Sequence, residues 1–464
     1  MQTEAKNDNS IERENVDNSN EKLTKKNLFG YGIGAFGIMA LWGLGSSMLT
    51  YYYTEVVGIA AGLVGTIIFL SRIFDGVSDI AMGYMVDNTK SKHGKARPWL
   101  LWLGVPFSIS AVLVFSVPDI GTKGQIIYAV ITNLLFILMY TGIRIPYNAL
   151  IALMTKDQQE RGMANIAQTI PGFLAGMIVA IAFIPIFNLL GGTKTAWFIL
   201  VVILAILSAL LVFITFRSTK ERVGSADASI NDNVPFLIGL KSMVKNKYAM
   251  LLLIMGIFLS AIMGLSASAG LYYAQYVLGD VNLMALIGAA TSLPVIVSLF
   301  FIAPVVKKFG KRNSALGGVL LGIIGGLIKF IDPANFIYFI TGSTLQTIGT
   351  VPLLAIGIAL WADTVEYGEW KTGVRTEGLI NSGAMFADKV GNGLGTALVG
   401  WTLALGGYVA GSTKQTDSVI QAIYAINIYI PIVFMIIVGV FLYFYKLDKH
   451  YPSIVAELAK RNEK

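Results

Sequence analysis

The chain has 464 residues, 55% of them hydrophobic and 13% charged, with a mean hydropathy of +0.68 and a formal net charge of +8. A soluble domain carries about 25% charged residues, so this composition excludes a globular enzyme and points to a polytopic membrane protein. Cysteine is absent, which excludes disulfides and thiolate metal sites, and His93 and His450 both lie in polar flanks, which argues against zinc.

Residues 1–27 are polar and mixed in charge, lack the apolar core of a signal peptide, and read as a disordered cytoplasmic tail. Apolar runs then recur at 28–53, 60–86, 98–117, 125–154, 164–190 and 196–216. A polar linker over 217–247 separates them from a second set at 248–278, 283–306, 314–331, 336–361, 378–405 and 419–445. A run of about 20 residues at 1.5 Å each crosses a ~30 Å hydrocarbon core. The expected fold is therefore all-α, with about twelve transmembrane helices. They fall into two six-helix bundles, 28–216 and 248–446, followed by a cytoplasmic tail over 447–464.

Basic residues cluster in alternate loops: Lys90, Lys92, Lys95 and Arg97 after span two, Lys156 and Arg161 after span four, Lys307, Lys308, Lys311 and Arg312 after span eight. That bias, not nucleic-acid binding, accounts for the net charge, and it places those loops, the linker and both termini in the cytoplasm of a cell membrane. The halves echo each other weakly. Gly94 and Gly310, and Asn165 and Asn381, are separated by the same offset of 216 positions. Duplicated halves of this kind hold substrate near the midplane.

Span two carries Arg72, Asp75 and Asp79 inside an apolar run. Asp75 and Asp79 are four apart and share a helix face. Ionisable groups at that depth cost roughly 3 kcal/mol each on insertion scales and face an aqueous cavity or a partner. One Arg against two Asp leaves a carboxylate over, which favours a cation site above a purely structural ion pair. In span four, Tyr140, Thr141, Arg144 and Asn148 form one stripe beside Pro146. An Arg in such a stripe suits a sugar hydroxyl or a carboxylate; the alternative is that Arg144 neutralises Asp75 or Asp79. Span eleven carries Asp388, Lys389 and Asn392, with Lys389 too deep to snorkel easily and able to compete with a coupling ion for carboxylates. Trp42 in mid-span one is a candidate platform for a sugar ring, against the blander role of a membrane-interface aromatic. The end of span ten, with Asp363 and Glu366, and the following Arg375 alternate acids and bases. Together with Arg97 they are candidates for a cytoplasmic gate that pairs one half's charges with the other's loops, or else are solvated helix ends.

From about Gly30 to Tyr445 the chain resembles the glycoside–pentoside–hexuronide:cation symporters, relatives of the melibiose permease within the major facilitator superfamily. The resemblance lies in Gly32-Ile33-Gly34-Ala35-Phe36-Gly37, Tyr52-Tyr53-Thr54-Glu55-Val56-Val57-Gly58, Arg72-Ile73-Phe74-Asp75 with Asp79, Gly94-Lys95-Ala96-Arg97-Pro98-Trp99, Ile145-Pro146-Tyr147, and Ala362-Asp363-Thr364-Val365-Glu366-Tyr367-Gly368-Glu369. It implies a cation site at Asp75, Asp79, Ser78 and Thr141, with Na⁺ one of its possible occupants, and a neighbouring lysine at Lys389. It also marks departures. Melibiose carriers place Asp where Met39 and Arg144 stand, Trp where Asn148 stands and Arg where Thr169 stands. The galactoside grip is therefore missing, and a glucuronide or xyloside fits better. The expected protein is a monomeric secondary symporter of a sugar or glycoside with Na⁺ or H⁺, working by alternating access without a cofactor. Its substrate side is expected at Trp42, Tyr140, Arg144, Asn148, Thr169 and Asn392. The rivals are an exporter or lipid-type carrier of the same fold, and a sugar sensor that transports nothing. An enzyme is least expected, because no nucleophile–base pair falls in the spans.

Overall fold

The computed structural model describes residues 22–222, 236–412 and 414–462, and these are helical apart from short connections. The expected disordered tail falls on residues 1–27, of which 1–21 lie outside the described residues, as do 223–235 of the linker. The helices of the first half are α1 (Lys25–Tyr51), α2 (Ala61–Asp87), α3 (Arg97–Val114), α4 (Thr122–Met154), α5 (Gln158–Leu189) and α6 (Lys194–Ser218). The short α7 (Phe236–Lys245) leads into α8 (Lys247–Tyr276), α9 (Met284–Phe309), α10 (Lys311–Ile331), α11 (Phe336–Thr372) and α12 (Glu377–Leu405). The last span is α13 (Asp417–Tyr424), which passes through a π-helical segment, Ala425–Tyr429, into α14 (Ile430–Phe444). Eleven spans among the described residues are long and apolar enough to cross a membrane. The remaining predicted span, the eleventh, is the 29-residue α12, whose Asp388, Lys389 and Asn392 dilute its apolarity.

Helix starts follow local chemistry. Asp157, Thr193 and Asn246 each sit in extended backbone just before a helix, and their side chains accept from the N–H of Glu160, Ala196 and Ala249 respectively. Span ten was expected to stop at Trp361, where the apolar run ends. The helix instead continues to Thr372 and stops at Gly373, whose φ of 71° is the left-handed cap that glycine provides. The expected tail over 447–464 contains α15 (Leu447–Asn462), where Trp370 Nε1 donates to Glu457 Oε2 at 2.8 Å. Its Ile454 and Leu458 join the core formed by Tyr248, Leu360 and Tyr445.

The chain divides into two compact units. One comprises Met1–Leu49 with Phe74–Asn231, the other Thr50–Ile73 with Asp232–Lys464. The boundary therefore cuts α1 and α2 part-way, and the hairpin between them packs with the second unit. Inside that unit, helices cross on glycine. A Cβ on Gly325 would lie 2.5 Å from Gly342 O, and one on Gly349 would lie 2.6 Å from Gly322 N, so α10 and α11 touch backbone to backbone. Gly391 and Gly395 give α12 the same approach to α8.

Candidate functional site

In the first unit, α2 and α4 present a compact set of oxygens. Asp75 is 2% exposed and Thr141 1%. Thr141 Oγ1 donates to Asp75 Oδ1 at 2.8 Å. Ser78 Oγ lies 3.2 Å from Thr141 Oγ1 and 2.9 Å from the carbonyl of Asp75, one helical turn away. Asp79 is half-buried on the same helix. These are the four residues expected to hold the cation, and the structure joins three of them, Asp75, Ser78 and Thr141, by hydrogen bonds. Hard carboxylate and hydroxyl oxygens suit an alkali cation, and the carboxylates equally take a proton.

One residue before Thr141, the Tyr140 ring stacks on Trp42 of α1, with centroids 3.7 Å apart and planes at 9°. Phe136, one turn earlier on α4, stacks on Trp42 at 6.3 Å and on Phe107 of α3 at 5.6 Å. The tryptophan is thus held between rings of α4. Arg144 is half-buried, and among the described residues it forms no ion pair with Asp75 or Asp79. Asn148, one turn on, is exposed, as is Thr169 of α5, whose hydroxyl is turned back onto the carbonyl of Asn165 at 2.8 Å.

Lys389 and Asn392 belong to α12 of the second unit. Both are half-buried. Asp388, next to Lys389 in sequence, instead accepts from Ser260 Oγ of α8 at 2.8 Å. Arg72 passes close to α12: a Cβ on Gly393 would sit 2.7 Å from Arg72 Cβ.

The charges expected at a cytoplasmic gate have partners inside their own units. Asp363 pairs with Lys311 Nζ at 2.7 Å. Arg375 binds Glu369 at 2.8 Å, Glu377 at 3.3 Å and Glu366 at 4.0 Å. The hydrogen bond that Arg375 donates to Glu369 leads in raising the Arg375 pKa above the ordinary guanidinium value. Arg97 donates to Phe216 O at 2.8 Å and lies over the Phe216 ring at 4.8 Å. The Gly94–Arg97 loop is fixed by Glu221, whose carboxylate accepts from the N–H of Lys95, Ala96 and Arg97, each at 2.8 Å. The acid in the linker, not the basic loop alone, sets that turn.

Sequence reasoning missed Lys329. It is 3% exposed. Its ammonium donates to Gln346 Oε1 at 2.7 Å and to Asn427 O of the π-helical segment at 2.8 Å, and it lies over the Phe339 ring at 5.4 Å. Gly342 leaves room for its stem, since a Cβ there would lie 2.5 Å from Lys329 Cγ. A lysine two residues from the end of an apolar run reads as a snorkelling anchor; the available signal was the glycine-rich stretch Gly325-Gly326 just before it. Glu55, near the end of the first span, belongs to one of the motifs that carry the family resemblance, where no role attaches to it.

Eleven membrane-length helices in two compact units, with Asp75 buried against a hydroxyl of a neighbouring span, mark a multi-pass membrane protein. Solved structures agree on the fold. The chain superposes on a peptide transporter of the POT family with a TM-score of 0.67 at 12% identity, covering 95% of this chain and 98% of that one. On the nucleoside transporter NupG the TM-score is 0.65 at 15% identity, covering 89% and 99%. The family model described as MFS/sugar transport protein matches residues 30–449, and the chain belongs to that family. Among its relatives, the isoprimeverose transporter of Lactiplantibacillus pentosus is 30% identical over 94% of this chain and 91% of its own length. The glucuronide carrier protein homolog of Escherichia coli (strain K12) is 32% identical over 96% and 97%. A putative 2,3-dihydroxypropane-1-sulfonate exporter of the same organism is 28% identical over 95% and 96%.

Proposed function

We propose that this transporter is a symporter that takes up a glycoside together with Na⁺ or H⁺ across the cell membrane. The observation that supports it most is the buried contact of Thr141 Oγ1 with Asp75 Oδ1, adjacent in sequence to the stacked Tyr140 of the Trp42 pair. A cation bound at Asp75, Asp79, Ser78 and Thr141 neutralises carboxylates one residue from an aromatic sugar platform. Coupling follows if the cation prefers the sugar-competent state, because linkage makes the preference reciprocal. Arg144, without an acidic partner among the cation-site carboxylates, is proposed to bind substrate, which favours a glycoside bearing a carboxylate. The relative named as a glucuronide carrier homolog is consistent with that class.

A second reading, export of a small organic anion, is favoured by the relative named as a sulfonate exporter and uses the same Arg144. Membrane vesicles tell the two apart. Labelled neutral and acidic glycosides are offered with and without an imposed inward Na⁺ or H⁺ gradient. Accumulation above the external concentration, driven by one of those gradients, is the expected result. Equilibration without concentration, under either gradient, overturns the symport reading.

A further inference from the structure

The hairpin joining α1 to α2 combines a π-helical turn with a left-handed glycine. Helix α1 does not simply end: it widens into a π-helical turn, Tyr52–Val56, and Gly58, at φ 84°, reverses the chain into α2. Such π turns are rare and concentrate at functional sites. Within the second unit this hairpin is tied to α8 and to the loop after α12 by directional bonds. Tyr51 OH donates to Gln275 Oε1 at 2.7 Å, and Thr54 Oγ1 and Tyr272 OH lie 2.6 Å apart. Trp401 Nε1 donates to Thr66 Oγ1 at 3.1 Å. Glu55 sits at the centre. One carboxylate oxygen accepts from Tyr276 OH of α8 and the other from the Gly411 N–H of the loop at 3.1 Å. Tyr408 is set edge-on to both Tyr272 and Tyr276 at 5.8 and 5.9 Å, which fixes these rings around it.

An ordinary packed loop does not need this arrangement. Among the described residues no basic side chain pairs with Glu55, so the carboxylate is held by neutral donors alone. An acid serves there because a carboxylate accepts at both oxygens, which an amide cannot, and hydrogen bonds to an ionised acceptor are about twice as strong as neutral ones. The hairpin is also covalently continuous with parts of α1 and α2 that belong to the first unit. If two halves rock against each other, as alternating access requires, α1 and α2 carry that motion into the hairpin, and the bonds that hold it inside the second unit take the load. A few directional hydrogen bonds over a glycine crossing, where a Cβ on Gly65 would lie 2.7 Å from Ala397 O, suit a contact that opens and recloses.

We propose that Glu55 is a positioning residue of the transport cycle: its carboxylate clasps the α1–α2 hairpin to α8 and to the turn at Gly411, and its release sets how readily the hairpin parts from them. The proposal rests on the alternating-access reading above, so its test does not use transport. The chain has no cysteine, which makes Ala60→Cys with Leu405→Cys, both exposed, a clean pair for nitroxide labels on the full chain in lipid nanodiscs. Distances between the labels are read by pulsed electron resonance without substrate. The parent is expected to show mainly one short-distance population. Tyr276→Phe, which removes one hydroxyl and keeps the ring, and Glu55→Ala should each raise a longer-distance population at least threefold. Superimposable distributions in the parent and in either variant, with both variants monodisperse, overturn the proposal. Failure of the parent to concentrate any glycoside would count against the symporter reading and leave the distance result standing by itself.

Discussion

Replacing Thr141 by Val keeps the volume of the side chain and deletes one hydroxyl. That hydroxyl donates to Asp75 Oδ1 at 2.8 Å and receives Ser78 Oγ at 3.2 Å, in a site where Thr141 is 1% exposed. Water is not positioned to replace it from bulk, so the full value of a hydrogen bond to a charged group applies, about 1.5–3 kcal/mol. At 1.4 kcal/mol per factor of ten, that is roughly a ten- to hundredfold change in occupancy of the site. For Na⁺, the hydroxyl oxygen is a ligand, and its loss raises the half-saturating Na⁺ concentration. Gradient-driven uptake in vesicles, titrated with Na⁺, reads it. A half-saturating Na⁺ concentration within twofold of the parent would refute the assignment of Thr141 to the site.

Three further outcomes follow from the structure. Arg144→Asn should weaken uptake of an acidic glycoside by roughly tenfold or more, the worth of a charge-assisted bond, while a neutral glycoside changes little; competition assays with the two sugars check this. Gly349→Val should lower the melting temperature by several degrees, because overpacking costs about 1–3 kcal/mol and the added carbons meet Gly318 O and Gly322 N across the α10–α11 crossing. The Glu457 carboxyl is held below the ordinary value, first by the Trp370 indole and then by Arg461. A depressed pKa contributes stability above the unfolded value of about 4.3 and loses it as pH falls through the folded value. The α15 dock on Trp370 should therefore loosen only in acid below that range, and proteolysis at α15 should lose this pH dependence in Glu457→Gln.

Much of the fold was legible because hydrophobic length is a strong signal. Span two was read at 60–86 and is Ala61–Asp87; span eleven was read at 378–405 and is Glu377–Leu405. The signal fails where polar residues keep a helix going. Residues 362–372 are too polar to read as membrane span, yet they extend α11 to the glycine cap, and α15 is amphipathic and reads as a tail. In the site, spacing on one helix was readable: Asp75 and Asp79 at four, Tyr140 and Arg144 at four. Partners on different helices were not. That Asp388 accepts from Ser260, that Arg97 turns to Phe216 O, and that Lys329 finds Asn427 O on a π-helical turn all depend on which helices cross, which no spacing along one helix encodes. The grouping of Asp75 and Ser78 with Thr141 was anticipated, and it came from the family resemblance, not from periodicity.

The central claim is that the α2 carboxylates bind the ion that drives transport. Asp75→Asn, which keeps shape and removes charge, tests it in vesicles loaded with substrate. The account predicts that gradient-driven accumulation is lost while exchange of internal for external sugar survives. Accumulation by Asp75→Asn equal to that of the parent under the same gradient would contradict it.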